Sequence, residues 1–128
     1  MKTDELTGAA LDWAVAKCEG YTCLRKIEGR MPHEPQLVMW PPRKADGLVE
    51  LWELGYSTNW AQGGAIIERE WIDLHCVNDA LWEAEINASA YHNRKNGPTP
   101  LIAAMRCYVA SKLGDEIELP KELNHEDR

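Results

Sequence analysis

The stretch TPLIAAMRCYVASKLG, residues 99–114, constrains the fold more than any other part of the chain. Thr99 is a typical N-cap, Pro100 suits the first helical position, and Gly114 suits a helix end, so the stretch predicts a helix with sharp boundaries. Large apolar residues and alanines occupy nearly all of its circumference. Such a helix is stable only when other elements cover it on most sides, so we expect it to lie deep in the fold.

A second helix is predicted near the N-terminus, over residues 8–19. Thr7 is placed as its N-cap, and Gly20 supplies the stop at its C-terminal end. Trp13 projects almost opposite the apolar stripe of this helix, so it must cover a second surface. A loop floor or a partner subunit would each suffice, and we place the loop floor first.

Shorter patterns between these helices predict a small sheet. Residues 21–27 suit a short strand, and IDLHCV and ALWEAEI, separated by Asn78 and Asp79, predict an antiparallel hairpin. A short helix is expected over residues 65–70, because the glycine pair before it disfavours a longer one. Residues 116–119 would add an edge strand.

The remaining segments predict less regular structure. Residues 29–54 form a proline-rich irregular segment, within which the part from 48 onward fits either a strand or a short helix. HNRKNG, residues 92–97, is interpreted as a solvated turn, and the tail 120–128 is expected to fray. The whole pattern predicts a single α+β domain over residues 1–128, with two main helices packed on a small, mostly antiparallel sheet.

Charge and hydropathy exclude several classes of protein. A net charge of -7 at pH 7 disfavours a protein that coats DNA, because nonspecific affinity comes from Lys and Arg that neutralise phosphates. No window approaches the ~20 apolar residues of a bilayer span. The N-terminus, MKTDELTGAALDW, has acids where a secretion signal has basic residues. We therefore expect a cytoplasmic protein whose 4 cysteines are reduced thiols.

Residues 56–64, YSTNWAQGG, form the candidate binding loop, called the 56–64 segment below. Glycines ahead of a helix can aim free N–H groups at an anion, short polar side chains add donors, and the aromatic rings could stack on a flat ligand. The alternative is that the polar residues cap and turn the chain while Trp60 fills a hole. The candidate ligand-binding residues are Tyr56, Ser57, Thr58, Asn59, Trp60, Gly63 and Gly64.

Arg106 is a second candidate, because its neighbours three and four positions away on the helix are all apolar. A buried guanidinium needs a carboxylate or phosphate partner. It would either form an internal salt bridge, with an acid such as Asp73 or Glu85, or supply charge for an anionic ligand cradled by the 56–64 segment. Arg69 is the more exposed alternative for this role.

The sequence carries no recognisable catalytic motif, and we expect no enzymatic activity, metal or other cofactor. CEGYTC has the wrong spacing for a zinc knuckle, and neighbouring His75 and Cys76 point to opposite faces of a strand. Carboxylates around Asp73 could hold magnesium in a nuclease-like arrangement, but acids on alternating strand faces are usually solvated.

Several of these stretches resemble the NinX family of small proteins of lambdoid phages. The resemblance rests on LTGAALDWAVAKCEG, YSTNWAQGGAIIERE, the W-x-A of residues 82–84, and GPTPLIAAMRCYVASKLGDEIELP. It covers most of residues 4–122 and thins out between 29 and 54. It implies a phage accessory protein with no established activity. STNWAQGGAIIERE is also loosely similar to a segment of phage "ABA sandwich" domains, which would imply a small sheet flanked by helices.

These observations lead to one functional hypothesis and two alternatives. The first is a non-catalytic phage accessory protein in the host cell cytoplasm, which binds and sequesters a small nucleotide-like ligand to counter host defence. The second is a protein-binding adaptor or inhibitor that acts on a host or phage protein, for example in DNA metabolism. The third is a metal-dependent nuclease. We also expect the chain to form a homo-oligomer, through Trp13 or the proline-rich segment.

Overall fold

Three α-helices and six β-strands make up the described part of the computed structural model, which covers residues 1–27, 36–43, 47–86 and 93–123. The strands form two antiparallel sheets of three strands each, in the orders β1-β2-β3 and β4-β5-β6. The prediction of a single α+β domain with a mostly antiparallel sheet is confirmed. Among these residues no helix is both long and apolar enough to cross a bilayer.

The two main helices lie where the sequence predicts them. Helix α1 spans Gly8–Cys18 with Thr7 at its N-cap position, although the threonine side chain makes no capping hydrogen bond. The last helix, α3, spans Pro100–Leu113, and Thr99 Oγ1 accepts a hydrogen bond of 3.1 Å from the Ile102 N–H. A side-chain cap therefore fixes the start of α3, whereas α1 begins after Thr7 without such a hydrogen bond.

The middle helix is longer than predicted. Helix α2 spans Trp60–Glu70 and contains the glycine pair that was expected to precede a helix over 65–70. Asn59 starts it, because its Oδ1 accepts a hydrogen bond of 2.8 Å from the Ala61 N–H. The prediction was wrong because it weighed only the intrinsic helix propensity of glycine, which tertiary packing overrides.

The first sheet uses part of the segment that was predicted to be irregular. Strand β1 spans Thr22–Ile27 as predicted, β2 spans Gln36–Trp40, and β3 is the short Val49–Glu50. Because prolines flank β2 without interrupting it, the proline content misled the prediction for residues 36–40. The ambiguous stretch from 48 onward is both strand and helix, since a 3-10 turn at Leu51–Glu53 follows β3 directly. Residues 28–35 and 44–46 of the irregular segment lie outside the described residues.

The second sheet contains the predicted hairpin and one strand that was missed. Strands β4, Ile72–Asn78, and β5, Leu81–Ile86, pair in antiparallel fashion, with Ile72 opposite Ile86. Strand β6, Asn93–Gly97, occupies the region interpreted as a solvated turn. That interpretation is wrong for these five residues, because cross-strand ion pairs with β5 stabilise a sequence with low intrinsic strand propensity.

The last part of the chain returns to the N-terminus. The Ile117 N–H donates to Met1 O at 2.9 Å, and Thr3 Oγ1 donates to Gly114 O at 2.7 Å. The predicted edge strand over 116–119 is wrong, because the described residues there make only an isolated bridge between Lys2 and Glu116. A 3-10 turn at Lys121–Leu123 buries Leu123, and residues 124–128 of the predicted tail lie outside the described part.

The core is built around α3, as its composition predicts. Five of the residues of α3 are 0% exposed, namely Ala103, Ala104, Met105, Cys107 and Val109. Ala84 of β5 is also 0% exposed. Trp13 is 7% exposed and lines a cleft with residues 117–121. Its second surface is therefore the C-terminal segment of the same chain, in agreement with the loop-floor interpretation.

Candidate functional site

The 56–64 segment is a tight turn that leads into α2. The N–H groups of Thr58 and Asn59 both donate to Gly55 O, at 3.0 and 2.7 Å. The Gln62 side chain closes the turn, since its Nε2 donates to Glu53 O at 2.9 Å. Asn59 serves as the N-cap described above. Much of the hydrogen-bonding capacity that the sequence shows in this segment is therefore used to shape the chain.

Gly63 sits where α2 crosses the start of the segment. A Cβ atom at this position would overlap Tyr56 O and lie 2.7 Å from Leu101 Cδ2. The Gly63 N–H donates to Asn59 O at 2.9 Å inside the helix. Its amide is consequently not one of the free N–H groups that the sequence interpretation assigned to an anion.

Ser57 lies in the interior and faces Asp12 of α1. Its N–H donates to Asp12 Oδ1 at 2.8 Å. Burial raises the pKa of Asp12, and hydrogen bonding by Ser57 opposes this rise. The buried Ser57 Oγ lies outside hydrogen-bond geometry with every described residue. The pair fixes the 56–64 segment to α1 at the cost of a partly desolvated carboxylate.

The two aromatic residues of the segment differ in accessibility. Tyr56 is 9% exposed, and burial raises the pKa of its hydroxyl. Trp60 is 54% exposed. The surface that a flat ligand could stack on is therefore that of Trp60, with Thr58 and Asn59 exposed beside it in sequence. Ligand binding by these residues stays a prediction.

Arg69 lies in a cluster of polar side chains that joins the three helices. Its Nη1 and Nη2 donate to the two carboxylate oxygens of Glu19 at 2.8 and 2.7 Å, and Nε donates to Glu70 at 2.9 Å. The Tyr108 hydroxyl donates to Glu19 Oε2 at 2.5 Å. The guanidinium is already paired in the bidentate geometry that arginine favours, so a ligand there would have to compete with two carboxylates.

The Glu19 cluster predicts a specific dependence of stability on pH. Hydrogen bonding by Arg69 lowers the pKa of Glu19 in the folded state, so its stabilising contribution is complete above the unfolded value of about 4.3 and is lost as the pH falls through the folded value. Glu19→Gln should therefore lower the free energy of unfolding at pH 7 by about 1 kcal/mol or more and flatten its decline in acid. Urea unfolding between pH 7 and pH 3 measures both effects.

The matched control for this prediction is Glu68→Gln, which neutralises an exposed carboxylate on the same helix as Arg69. It should change the free energy of unfolding little at any pH. An acid decline as steep in Glu19→Gln as in the unchanged protein would show that the Glu19 cluster does not stabilise the fold.

Arg106 lines a different cleft, at the end of the second sheet. The side chain is 9% exposed, and its Nε and Nη1 donate to the main-chain oxygens of Leu6 and Asn96, both at 2.8 Å. Nη2 donates to none of the described residues. The predicted salt bridge to Asp73 or Glu85 is not formed, because the neighbouring acceptors are carbonyl groups, which a sequence pattern does not reveal.

The cleft beside Arg106 has a volume of about 340 Å³. Burial lowers the pKa of Arg106, while the charge of Asp4 opposes this at longer range. Two further cations come from β6, and an apolar wall completes the lining. The residues that line the cleft are Asp4, Ala80, Leu81, Arg94, Lys95, Asn96, Gly97, Pro98 and Arg106.

The two cations from β6 are held by carboxylates. Lys95 Nζ lies 3.1 Å from Asp4 Oδ1 and 3.0 Å from Asp115 Oδ1. Arg94 lies 3.4 Å from Glu83 and 3.3 Å from Glu85 on the neighbouring strand. These pairs position the cations at the cleft, and the exposed ones are weak enough to exchange for a ligand anion.

The structure does not bring the two predicted halves of one site together. Helix α3 contacts the 56–64 segment through Leu101, which packs on Gly63, and contacts Arg69 through Tyr108. Arg106 points to Leu6 and β6 instead. No described contact links Arg106 to the 56–64 segment, so the chain presents two separate candidate places.

Sequence reasoning missed the contribution of β6 to the cleft. Arg94 and Lys95 lie in the stretch 92–97, which the sequence pattern led us to interpret as a solvated turn. The sequence does contain a signal for this strand pairing, namely the positions of opposite charges. When the segments around residues 83–85 and 94 pair, Glu83 and Glu85 come next to Arg94. Within the described ranges, no three His, Cys, Asp or Glu side chains group as a metal-ion site.

Comparison with known proteins identifies the family of the chain. No curated protein matches the sequence. The family model described as "Bacteriophage P22, NinX" matches residues 2–112, which include both candidate places described above. The chain therefore belongs to the NinX family.

Proposed function

We propose that this phage protein is a non-catalytic accessory protein that binds and sequesters a small nucleotide-like ligand, and that it counters host defence in this way. The observation that supports the proposal best is Arg106, a guanidinium that is 9% exposed, has no carboxylate at salt-bridge distance among the described residues, and lines a cleft. Burying such a charge is unfavourable, and an anion in the cleft would offset that penalty.

The charge of the cleft supports an anionic ligand. Arg94, Lys95 and Arg106 line it together with a single acid, Asp4, in a chain whose net charge is -7. Hydrogen bonding by Lys95 lowers the pKa of Asp4, so this carboxylate is a poor proton acceptor. The lining therefore suits charge recognition better than acid–base chemistry.

The size and walls of the cleft support a ligand with one flat or apolar part. A volume of about 340 Å³ is at the lower end of the range of small-molecule sites. Leu81 and Pro98 supply apolar surface beside the cations. A phosphate on Arg106 and Arg94, with a base or sugar against this wall, is the arrangement that we propose. The 56–64 segment, with exposed Trp60, is the less supported of the two places.

Calorimetric titration with defined probes tests the proposed ligand class. The probes are AMP, a cyclic dinucleotide and inorganic phosphate, with uncharged adenosine as the comparison. We expect binding of at least one phosphorylated probe and none of adenosine, and we expect Arg94→Ala to weaken that binding by about tenfold or more. Arg25→Ala removes an exposed arginine from a strand of the other sheet and should leave binding unchanged.

Native mass spectrometry of protein recovered from infected cells complements the titration. An added mass below about 1 kDa that is released on denaturation would fit a ligand of this size. If the recovered protein carries no small molecule and no phosphorylated probe binds, or if Arg94→Ala binds as tightly as the unchanged protein, the proposal is wrong.

A protein-binding adaptor is the second candidate, and the exposed aromatic residues favour it. Trp52 is 75% exposed and Trp60 is 54% exposed, and tryptophan is enriched at the centres of protein interfaces. In this case a polypeptide would co-purify from infected cells, and Trp52→Ala would release it while Arg94→Ala would not.

A further inference from the structure

We infer that strand β4 pairs with β4 of a second copy of this chain, in antiparallel orientation about a two-fold axis beside Leu74. The inference concerns a different surface from the Arg106 cleft and does not depend on the proposed ligand. It rests on the free edge of the second sheet, on the order of charges along β4, and on an exposed tryptophan at its start.

The edge of β4 is open. Within the described residues β4 pairs only with β5, and the sheet order β4-β5-β6 leaves its other side without a strand. The strand, IDLHCVN, contains no lysine or proline, which are the residues that usually prevent edge strands from pairing. By contrast, the outer strand β1 of the other sheet carries Arg25 and Lys26. In the described part of the chain, what limits pairing of β4 is the bulge between Cys76 and Asn78, at its far end.

The polar side chains of β4 are complementary to those of a second, antiparallel copy of β4. In an antiparallel pair centred on Leu74, Asp73 lies opposite His75 of the second copy, and His75 lies opposite Asp73 of that copy. The carboxylate and the imidazole N–H of each pair can then form a hydrogen bond across the interface, twice by symmetry. A shift of one residue in either direction would break this match, so the charges select one register.

Charges on the neighbouring strand β5 make pairing between two copies of β4 more favourable. Across β5, Asp73 lies opposite Glu85 and His75 lies opposite Glu83. Like charges directly opposite each other destabilise a sheet, and Arg94, on the far side of β5 and 3.3 Å from Glu85, counters this repulsion. A second copy would place an imidazole beside Asp73 on its open side.

Trp71 provides the apolar part of the interface. It ends α2 in the left-handed conformation, at φ 55 and ψ 50, and it is 85% exposed. A tryptophan is an unfavourable choice at such a position, where glycine is usual. The same two-fold axis brings Trp71 near Val77 of the second copy, which lies in the bulge where regular pairing ends and is 47% exposed. Each end of the paired strands would then bury an aromatic ring against a branched side chain.

Sedimentation velocity over a concentration series tests the inference. We expect a reversible monomer–dimer equilibrium. D73K should weaken it by about tenfold or more, because it replaces the carboxylate that accepts from His75 of the second copy with an ammonium group, which cannot accept a hydrogen bond. H75D should do the same by placing two carboxylates opposite each other. The double variant D73H/H75D exchanges the two residues, preserves both cross-axis pairs, and should restore association.

D79K is the matched control, since it makes the same charge change at an exposed turn residue just beyond β4. It should leave the association constant unchanged. Because Asp73 and His75 are both exposed, these variants should fold normally, which circular dichroism verifies. A chain that stays monomeric at every concentration, or a dimer that D73K and H75D do not weaken, would overturn the inference.

Discussion

Gly63→Ala is expected to destabilise the protein by about 2 kcal/mol or more, the range found when a well-packed interior must accept an extra carbon. The added Cβ would overlap Tyr56 O and lie 2.7 Å from Leu101 Cδ2. The first of these is a main-chain atom, so it cannot move away by rotating a side chain. Relief requires α2 to move away from the 56–64 segment or from α3. Urea unfolding followed by circular dichroism measures the loss.

Gly64→Ala is the matched control, because it makes the same substitution one position further along the same helix. Its Cβ would meet Trp60 Cε3 at 3.5 Å, an ordinary contact. Alanine also has the higher helix propensity, so this variant should be more stable than the unchanged protein by about 0.5–1 kcal/mol. If Gly63→Ala were as stable as Gly64→Ala, α2 would not pass as close to Tyr56 as the structure shows.

These glycines show what limits prediction of the fold from the sequence. Local signals sufficed for α1 and α3, where a cap, a proline at the first helical position or a terminal glycine marks the boundary. They also sufficed for the β4–β5 hairpin, which alternates clearly around a turn. They failed for α2, because the reason for a glycine at position 63 is a contact with Leu101, which is distant in the sequence. Strands β2 and β6 were missed for the same reason, since each depends on its neighbour more than on its own composition.

The candidate site was predictable only in part. Arg106 was singled out because its neighbours on the helix are apolar, and the structure shows that it is indeed buried, at 9% exposure. Its partners were predicted as a carboxylate or a ligand of the 56–64 segment, and they are the carbonyl groups of Leu6 and Asn96. Main-chain acceptors are identical in every residue, so no sequence pattern points to them.

Arg106→Met is expected to destabilise the protein by about 2–3 kcal/mol. Methionine preserves much of the length and packing of arginine but donates no hydrogen bond. Leu6 is 0% exposed, so its carbonyl would be left buried without the Nε donor, whereas Asn96 is exposed and its carbonyl can bond to water. The relief of an unfavourable buried charge opposes this loss. We expect the loss to dominate, because two hydrogen bonds to a charged group connect the N-terminal segment, β6 and α3. Chemical unfolding at pH 7 measures the net change in the free energy of unfolding.

Two further variants separate hydrogen bonding from charge. Arg106→Lys retains the cation, but its single nitrogen cannot reproduce the planar fork that reaches Leu6 O and Asn96 O together, so it should recover only part of the lost stability. Arg94→Met makes the same substitution in the same cleft at a side chain that is 59% exposed, and it should lower the free energy of unfolding by about 0.5 kcal/mol or less.

If Arg106→Met were no less stable than Arg94→Met, the two carbonyl contacts would contribute little to the fold, and the buried guanidinium would be retained for a ligand alone. A large loss in Arg106→Met with weakened probe binding in the folded Arg94→Met variant would instead show that one cleft combines a structural arginine with a binding one.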